Sequence, residues 1–277
     1  MTSHFSLRAA LVAALVTCTV RTAPAQTIPA GADSATARLN ASPRHGEWVR
    51  LDAGNGDSLN AWVVYPERRD KAPVVVVIHE IFGLTDWIRA VADQLGADGF
   101  IAIAPDLLSG HGPNGGGTES VDQQGAVRLI REVRPEEAQR RLMAAGSYAM
   151  AVPAARSRIA SVGFCWGGST SFALATNWPD LRGAVVYYGT SPDSASLGRV
   201  RGAVLGLYAG DDARVNTTVP PAQAEMRRLG KRYEVEMYEG AGHGYLRQQT
   251  DRDGANRRAS EAAWPRTVAF LREVLGR

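Results

Sequence analysis

Ile159-Ala160-Ser161-Val162-Gly163-Phe164-Cys165-Trp166-Gly167-Gly168-Ser169-Thr170-Ser171-Phe172-Ala173-Leu174-Ala175-Thr176 is the stretch from which the fold can be read. Its first six residues are an apolar strand candidate, and Gly167–Thr176 has the make-up of a helix. Between them Gly163-Phe164-Cys165-Trp166-Gly167 has the form G-x-nucleophile-x-G, in the strand–turn–helix setting that this motif requires. So tight a turn brings the residues two before and two after its tip against each other, which glycines at 163 and 167 allow because they have no Cβ. The tip residue, Cys165, is pushed out at a helix N-terminus, where the helix dipole favours a thiolate. The competing reading is a glycine-rich turn with an inert buried cysteine, and residues elsewhere decide between the two.

Outward from this stretch, strand and helix patterns alternate. Upstream, Glu47–Leu51 and Leu59–Tyr65 flank Gly54-Asn55-Gly56-Asp57, the signature of an antiparallel hairpin. Val74-Val75-Val76-Val77-Ile78 is a continuous β-branched run, as expected of a strand buried on both faces. Trp87–Ala97 has helical spacing, and Phe100–Ala104 is a further strand. His111–Thr118 is a glycine-rich loop, followed by helical patterns near 120–131 and 135–151. Downstream, strands are predicted at Ala184–Tyr188, Val204–Tyr208 and Glu234–Tyr238, with helices at Pro221–Leu229 and Arg257–Leu275. The fold class is therefore α/β: a mostly parallel central sheet with helices on both faces. In such sheets chemistry gathers beyond the carboxyl ends of the strands.

Composition sets the limits. The chain is 45% hydrophobic and 21% charged, which suits a globular protein rather than a disordered one. A formal net charge of only +3, with basic and acidic residues interspersed, gives no field for nucleic acid. The N-terminus has the three-part layout of a secretory signal: Arg8, the apolar run Ala9–Val20, and Ala23-Pro24-Ala25 as an A-x-A cleavage pattern. That run is too short to span a bilayer, which takes roughly 20 apolar residues. The expected organisation is a signal peptide at 1–25, an N-terminal lead at 26–45 rich in Ala, Ser, Thr and Pro, and one catalytic domain at 46–277. The protein is thus expected in the periplasm or secreted, with cleavage after Ala25 and no membrane attachment afterwards. Thr17 stands where a lipoprotein box has a small residue, which argues against lipidation at Cys18. With Cys18 removed, Cys165 is the only cysteine left, so an internal disulfide and a polythiolate metal site are both excluded.

Cys165 needs a base, and the base needs an orienting group. Asp211 and Asp212 follow one predicted strand, and His243 follows the next, within Glu239-Gly240-Ala241-Gly242-His243-Gly244. Of the five histidines, His4 lies in the signal and His45 in the lead, and His111 is expected to face solvent from its glycine loop. Nucleophile, acid, histidine is the chain order of α/β-hydrolases. His79-Glu80-Ile81-Phe82-Gly83 begins like a zinc-binding H-E-x-x-H, but Gly83 replaces the second histidine and the segment ends a strand. Gly115-Gly116-Gly117-Thr118 lacks the lysine of a phosphate loop.

These landmarks, together with Ala104-Pro105-Asp106-Leu107 and Ala241-Gly242-His243-Gly244-Tyr245-Leu246-Arg247, resemble those of the dienelactone hydrolases (carboxymethylenebutenolidases) over most of 60–275. The resemblance implies Cys165 as nucleophile, Asp212 rather than Asp211 as the triad acid, and His243 as base. It implies that Glu80 contacts the thiol and helps to form the thiolate when substrate binds. A thiol kept neutral until then is protected from oxidation. The backbone N–H groups of Ile81 and Trp166 would form the oxyanion hole, and Arg247 would hold a substrate carboxylate. A second family arginine falls where this sequence diverges, with Arg128, Arg131 and Arg134 all as candidates. The implied activity is cofactor-free, metal-free opening of an unsaturated lactone through an acyl-enzyme. The alternatives are a general small-ester carboxylesterase with the same triad and a non-catalytic exported binding protein, which fold alone would permit.

Overall fold

The computed structural model describes Met1 and residues 28–276, so the expected signal peptide and its cleavage site lie outside the described residues apart from Met1. Helix α1 (Ala35–Asn40) precedes the hairpin β1 (Gly46–Gly54) and β2 (Asp57–Val64). Asn55 and Gly56 both take positive φ, 58° and 73°, as the two-residue turn that matches strand twist demands. There follow β3 (Ala72–Ile78), α2 (Asp86–Ala97), β4 (Ile101–Pro105), α3 (Gln123–Leu129) and α4 (Pro135–Ala151). The second half runs β5 (Ala155–Phe164), α5 (Trp166–Asn177), β6 (Leu181–Tyr187), β7 (Ala203–Ala209), α6 (Ala213–Asn216), α7 (Val219–Arg228), β8 (Tyr233–Tyr238) and α8 (Ala255–Leu275).

The strands form one eight-stranded sheet in the order β1-β2-β4-β3-β5-β6-β7-β8. The hairpin strand β2 joins β4 antiparallel, and every pairing from β4 to β8 is parallel. Residues Val74–Ile78 are all fully buried, and they alternate between the two faces. Val75 and Val77 join the core under α2 and α8, whereas Val74, Val76 and Ile78 join the core under α4, α5 and α7. The expected α/β-hydrolase architecture is therefore present.

Register places the site. Ile78 pairs with Gly163, Phe164 with Tyr187, Tyr187 with Leu207, and Ala209 with Tyr238. The carboxyl ends of β3, β5, β6, β7 and β8 therefore finish along one edge, and residues just beyond them share it. The expected lead is docked on the domain from residue 28. Trp87 Nε1 donates to the carbonyl of Ala30 at 3.1 Å, and Arg44 grips Asp93 of α2 through Nε at 2.9 Å and a terminal nitrogen at 2.6 Å.

Candidate active site

The elbow forms as its glycines require. A Cβ on Gly163 would sit 1.9 Å from the carbonyl oxygen of Gly167, and one on Gly167 would sit 2.3 Å from that of Ile78. Cys165 takes φ 56° and ψ −117°, a conformation that costs on the order of 1–3 kcal/mol. Its N–H donates to Tyr187 O at 3.0 Å, and its carbonyl accepts from Ser169 N–H at 3.1 Å, so β6 and α5 hold it in place. Burial pushes the thiol up to about 11, and the Glu80 charge adds to that rise. The Trp166 backbone N–H and the Arg214 guanidinium act in the opposite direction.

His243 Nδ1 lies 2.5 Å from Asp212 Oδ2. Asp212 is 8% exposed, whereas Asp211 is turned outward onto Arg252, which donates to it at 2.8 Å. The loop carrying Asp212 is held by Asn216 Nδ2, which donates to Ala209 O at 2.8 Å. The loop carrying His243 is anchored from α8, where Asn256 Oδ1 accepts from Gly242 N–H at 2.9 Å.

Glu80 is 3% exposed just beyond β3, and Arg247 Nε lies 2.7 Å from its Oε2. The N–H is not aligned on that oxygen, so the contact is an ion pair rather than a directed hydrogen bond. Burial raises the Glu80 carboxyl to about 7 against the pull of Arg247. Arg247 also lies over the Phe82 ring, 5.0 Å from its centroid. His79, to which the sequence assigned no role of its own, positions Glu80. Its Nε2 accepts from Leu107 N–H at 3.1 Å, so Nδ1 carries the proton that is donated to Glu80 O at 2.6 Å.

A cavity of about 410 Å³ opens beside Arg247, with walls that include Phe82, Trp87, Thr118 and Val121; Glu80, Cys165 and His243 are not among its lining residues. The glycine-rich loop is fastened beside it by Asp106, whose Oδ2 accepts from Thr118 N–H at 2.8 Å. Arg128, Arg131 and Arg134 are all exposed, and none of them lines the cavity. His111 does not face solvent as expected: its Nε2 lies 2.7 Å from Glu137 Oε1, within an ion cluster with Arg141 and Asp57.

The match to the Dienelactone hydrolase family covers residues 59–275. The chain belongs to that family. A relative from Saccharolobus solfataricus named "Putative carboxymethylenebutenolidase" is 31% identical over 252 residues, covering 79% of this chain and 96% of its own. One of the same name from Escherichia coli K12 is 28% identical over 235 residues, covering 80% and 85%. The solved structure titled "Putative Dienelactone Hydrolase" from Klebsiella pneumoniae superposes with a TM-score of 0.71 at 25% identity, covering 82% of this chain and 98% of that one. The chain is accordingly a carboxylic ester hydrolase of lactone or ester substrates, on the α/β-hydrolase fold.

Within this member of the dienelactone hydrolase family, Tyr188 went unnoticed in the sequence. It follows β6 at φ 40°, packs edge-on against His243 at 5.1 Å between centroids, and feels the charges of Glu80 and Cys165. Its hydroxyl is buried without a hydrogen-bond partner among the described residues. The one available signal was its place at the end of a predicted strand beside the elbow strand.

Proposed function

We propose that this protein hydrolyses small lactones, with Cys165 as a nucleophile that is armed by substrate. The observation that carries the reading is the pairing of His243 with Asp212 at 2.5 Å beside an elbow cysteine whose thiol is held near 11. At rest Arg247 neutralises Glu80. A substrate carboxylate draws Arg247 away, and Glu80, now an uncompensated buried charge, takes the Cys165 proton. The thiolate sulfur bonds to the carbonyl carbon, and the Ile81 and Trp166 N–H groups receive the oxyanion. The C–O bond then breaks, and the leaving oxygen is protonated by solvent. His243, oriented by Asp212, removes a proton from water, which attacks the thioester. The C–S bond breaks, the sulfur recovers its proton from the imidazolium, and Glu80 releases its own proton as Arg247 returns.

A second reading keeps the Cys165–His243–Asp212 triad for neutral small esters, which carry no carboxylate to draw Arg247 away, so that His243 rather than Glu80 takes the thiol proton. The cavity favours it in one respect: Asp86 and Asp122 line the cavity along with Arg247, the only arginine there. The 1–25 leader supports action outside the cytoplasm, and N-terminal sequencing of the exported protein should begin at Gln26. The decisive experiment is a panel of lactones with and without a carboxylate, with the acyl-enzyme trapped by acid quench. A mass increase on the peptide bearing Cys165 is expected. Rapid turnover with that peptide never modified would overturn the covalent route.

A further inference from the structure

We propose that the N-terminal strap, residues 28–41, is a wall of the substrate cavity and that Ala32 sets the size of the group admitted there. The proposal rests on the reading above that the cavity beside Arg247 receives substrate. Ala32 is exposed and lines that cavity opposite no other strap residue. The strap precedes residues 59–275, so it lies outside the stretch matched to the family.

The strap is fixed at several points, three of them on the cavity-lining residues Arg247, Asp86 and Trp87. Ala32 N–H donates to the carbonyl of Arg247 at 2.9 Å. Thr36 Oγ1 donates to Asp86 Oδ2 at 2.6 Å. Behind these, Gln249 Nε2 donates to Pro29 O at 2.9 Å, and Trp87 Nε1 holds Ala30 O. Ala35 is buried against the core that contains α2. A wall tied this way does not swing aside, so the volume of the side chain at 32 subtracts from the space beside Phe82, Trp87 and Val121. Those three residues give the cavity an apolar part beside Asp86 and Asp122, which suits an alkyl or aryl group of the ester.

The test uses the full chain with nitrophenyl acetate and nitrophenyl octanoate. Ala32→Trp should raise KM for the octanoate at least tenfold and leave kcat and KM for the acetate within about twofold. Ala32→Leu should fall between wild type and Ala32→Trp on the octanoate. Equal losses on both esters would mean a structural effect and overturn the proposal, as would an unchanged octanoate KM in both variants. Cys165→Ala, assayed alongside, separates the two ideas: turnover persisting there defeats the nucleophile assignment, whereas the wall is judged only by the octanoate-to-acetate ratio.

Discussion

Arg247 Nε lies 2.7 Å from Glu80 Oε2, yet the Glu80 carboxyl stands at about 7 because burial outweighs the guanidinium's pull. The Cys165 thiol, raised to about 11 by burial and by Glu80, stands above it. That gap keeps the proton on the thiol at rest. Cys165 at rest is therefore a thiol, and anything that draws Arg247 off Glu80 narrows the gap.

Glu80→Gln should separate thiol acidity from turnover. Removing the carboxylate removes a charge that raises the thiol, so the midpoint of Cys165 alkylation by iodoacetamide should move below about 11. Turnover at neutral pH should nevertheless fall, since the proton acceptor is gone. Alkylation followed against pH, beside steady-state rates, checks both; undiminished turnover would remove Glu80 from the proton path.

Stability should follow the same group with a defined sign. The Glu80 value is raised from 4.5 in the folded state, so its contribution is full below about 4.5 and is lost as pH rises through about 7. The Tm of wild type should therefore decline relative to that of Glu80→Gln between those limits. Thermal unfolding at a series of pH values gives the difference, and a flat difference would contradict the raised carboxyl.

Asp212→Asn should cost far more activity than Asp211→Asn. Only Asp212 reaches the His243 ring; Asp211 is half exposed and paired with Arg252, an ion contact worth about 0–1 kcal/mol. With Asp212 neutralised, the imidazole loses the group that fixes its tautomer and supports its positive charge. The ratio of kcat/KM values in the two purified variants checks this, and the reverse ranking would contradict the geometry.

The sheet, the hairpin turn and the elbow were legible because each is a local pattern: a β-branched run, Asn-Gly with positive φ, paired glycines about a nucleophile. His243 was legible because it is the one histidine following the last strand. The docking of residues 28–45 was not legible. Helix α1 has six residues and buries only Ala35, so it has no apolar stripe, and it is held by Asp86 and Gln94, with Ser42 just beyond it held by Asp93, all of a helix some fifty residues away. The His111–Glu137 contact likewise joins two segments through polar side chains, which leaves no periodicity to read. The start of β5 was not legible because Arg156-Ser157-Arg158 is polar, with Ser157 and Arg158 exposed, although it is strand.

Arg247→Ala should distinguish acidic from neutral substrates. The guanidinium lies at the cavity and against Glu80, and its planar donor fork suits a carboxylate. A hydrogen bond to a charged group is worth roughly 1.5–3 kcal/mol, and about 1.36 kcal/mol is tenfold in rate. On a carboxylate-bearing lactone kcat/KM should fall about ten- to a hundredfold. A neutral ester makes no such contact, so its loss should be much the smaller. The same substitution leaves the Glu80 charge uncompensated, which favours transfer of the thiol proton and works against any general loss. Both substrates measured on the one variant decide the matter: equal losses would give Arg247 a structural role, and no loss on either would remove it from the site.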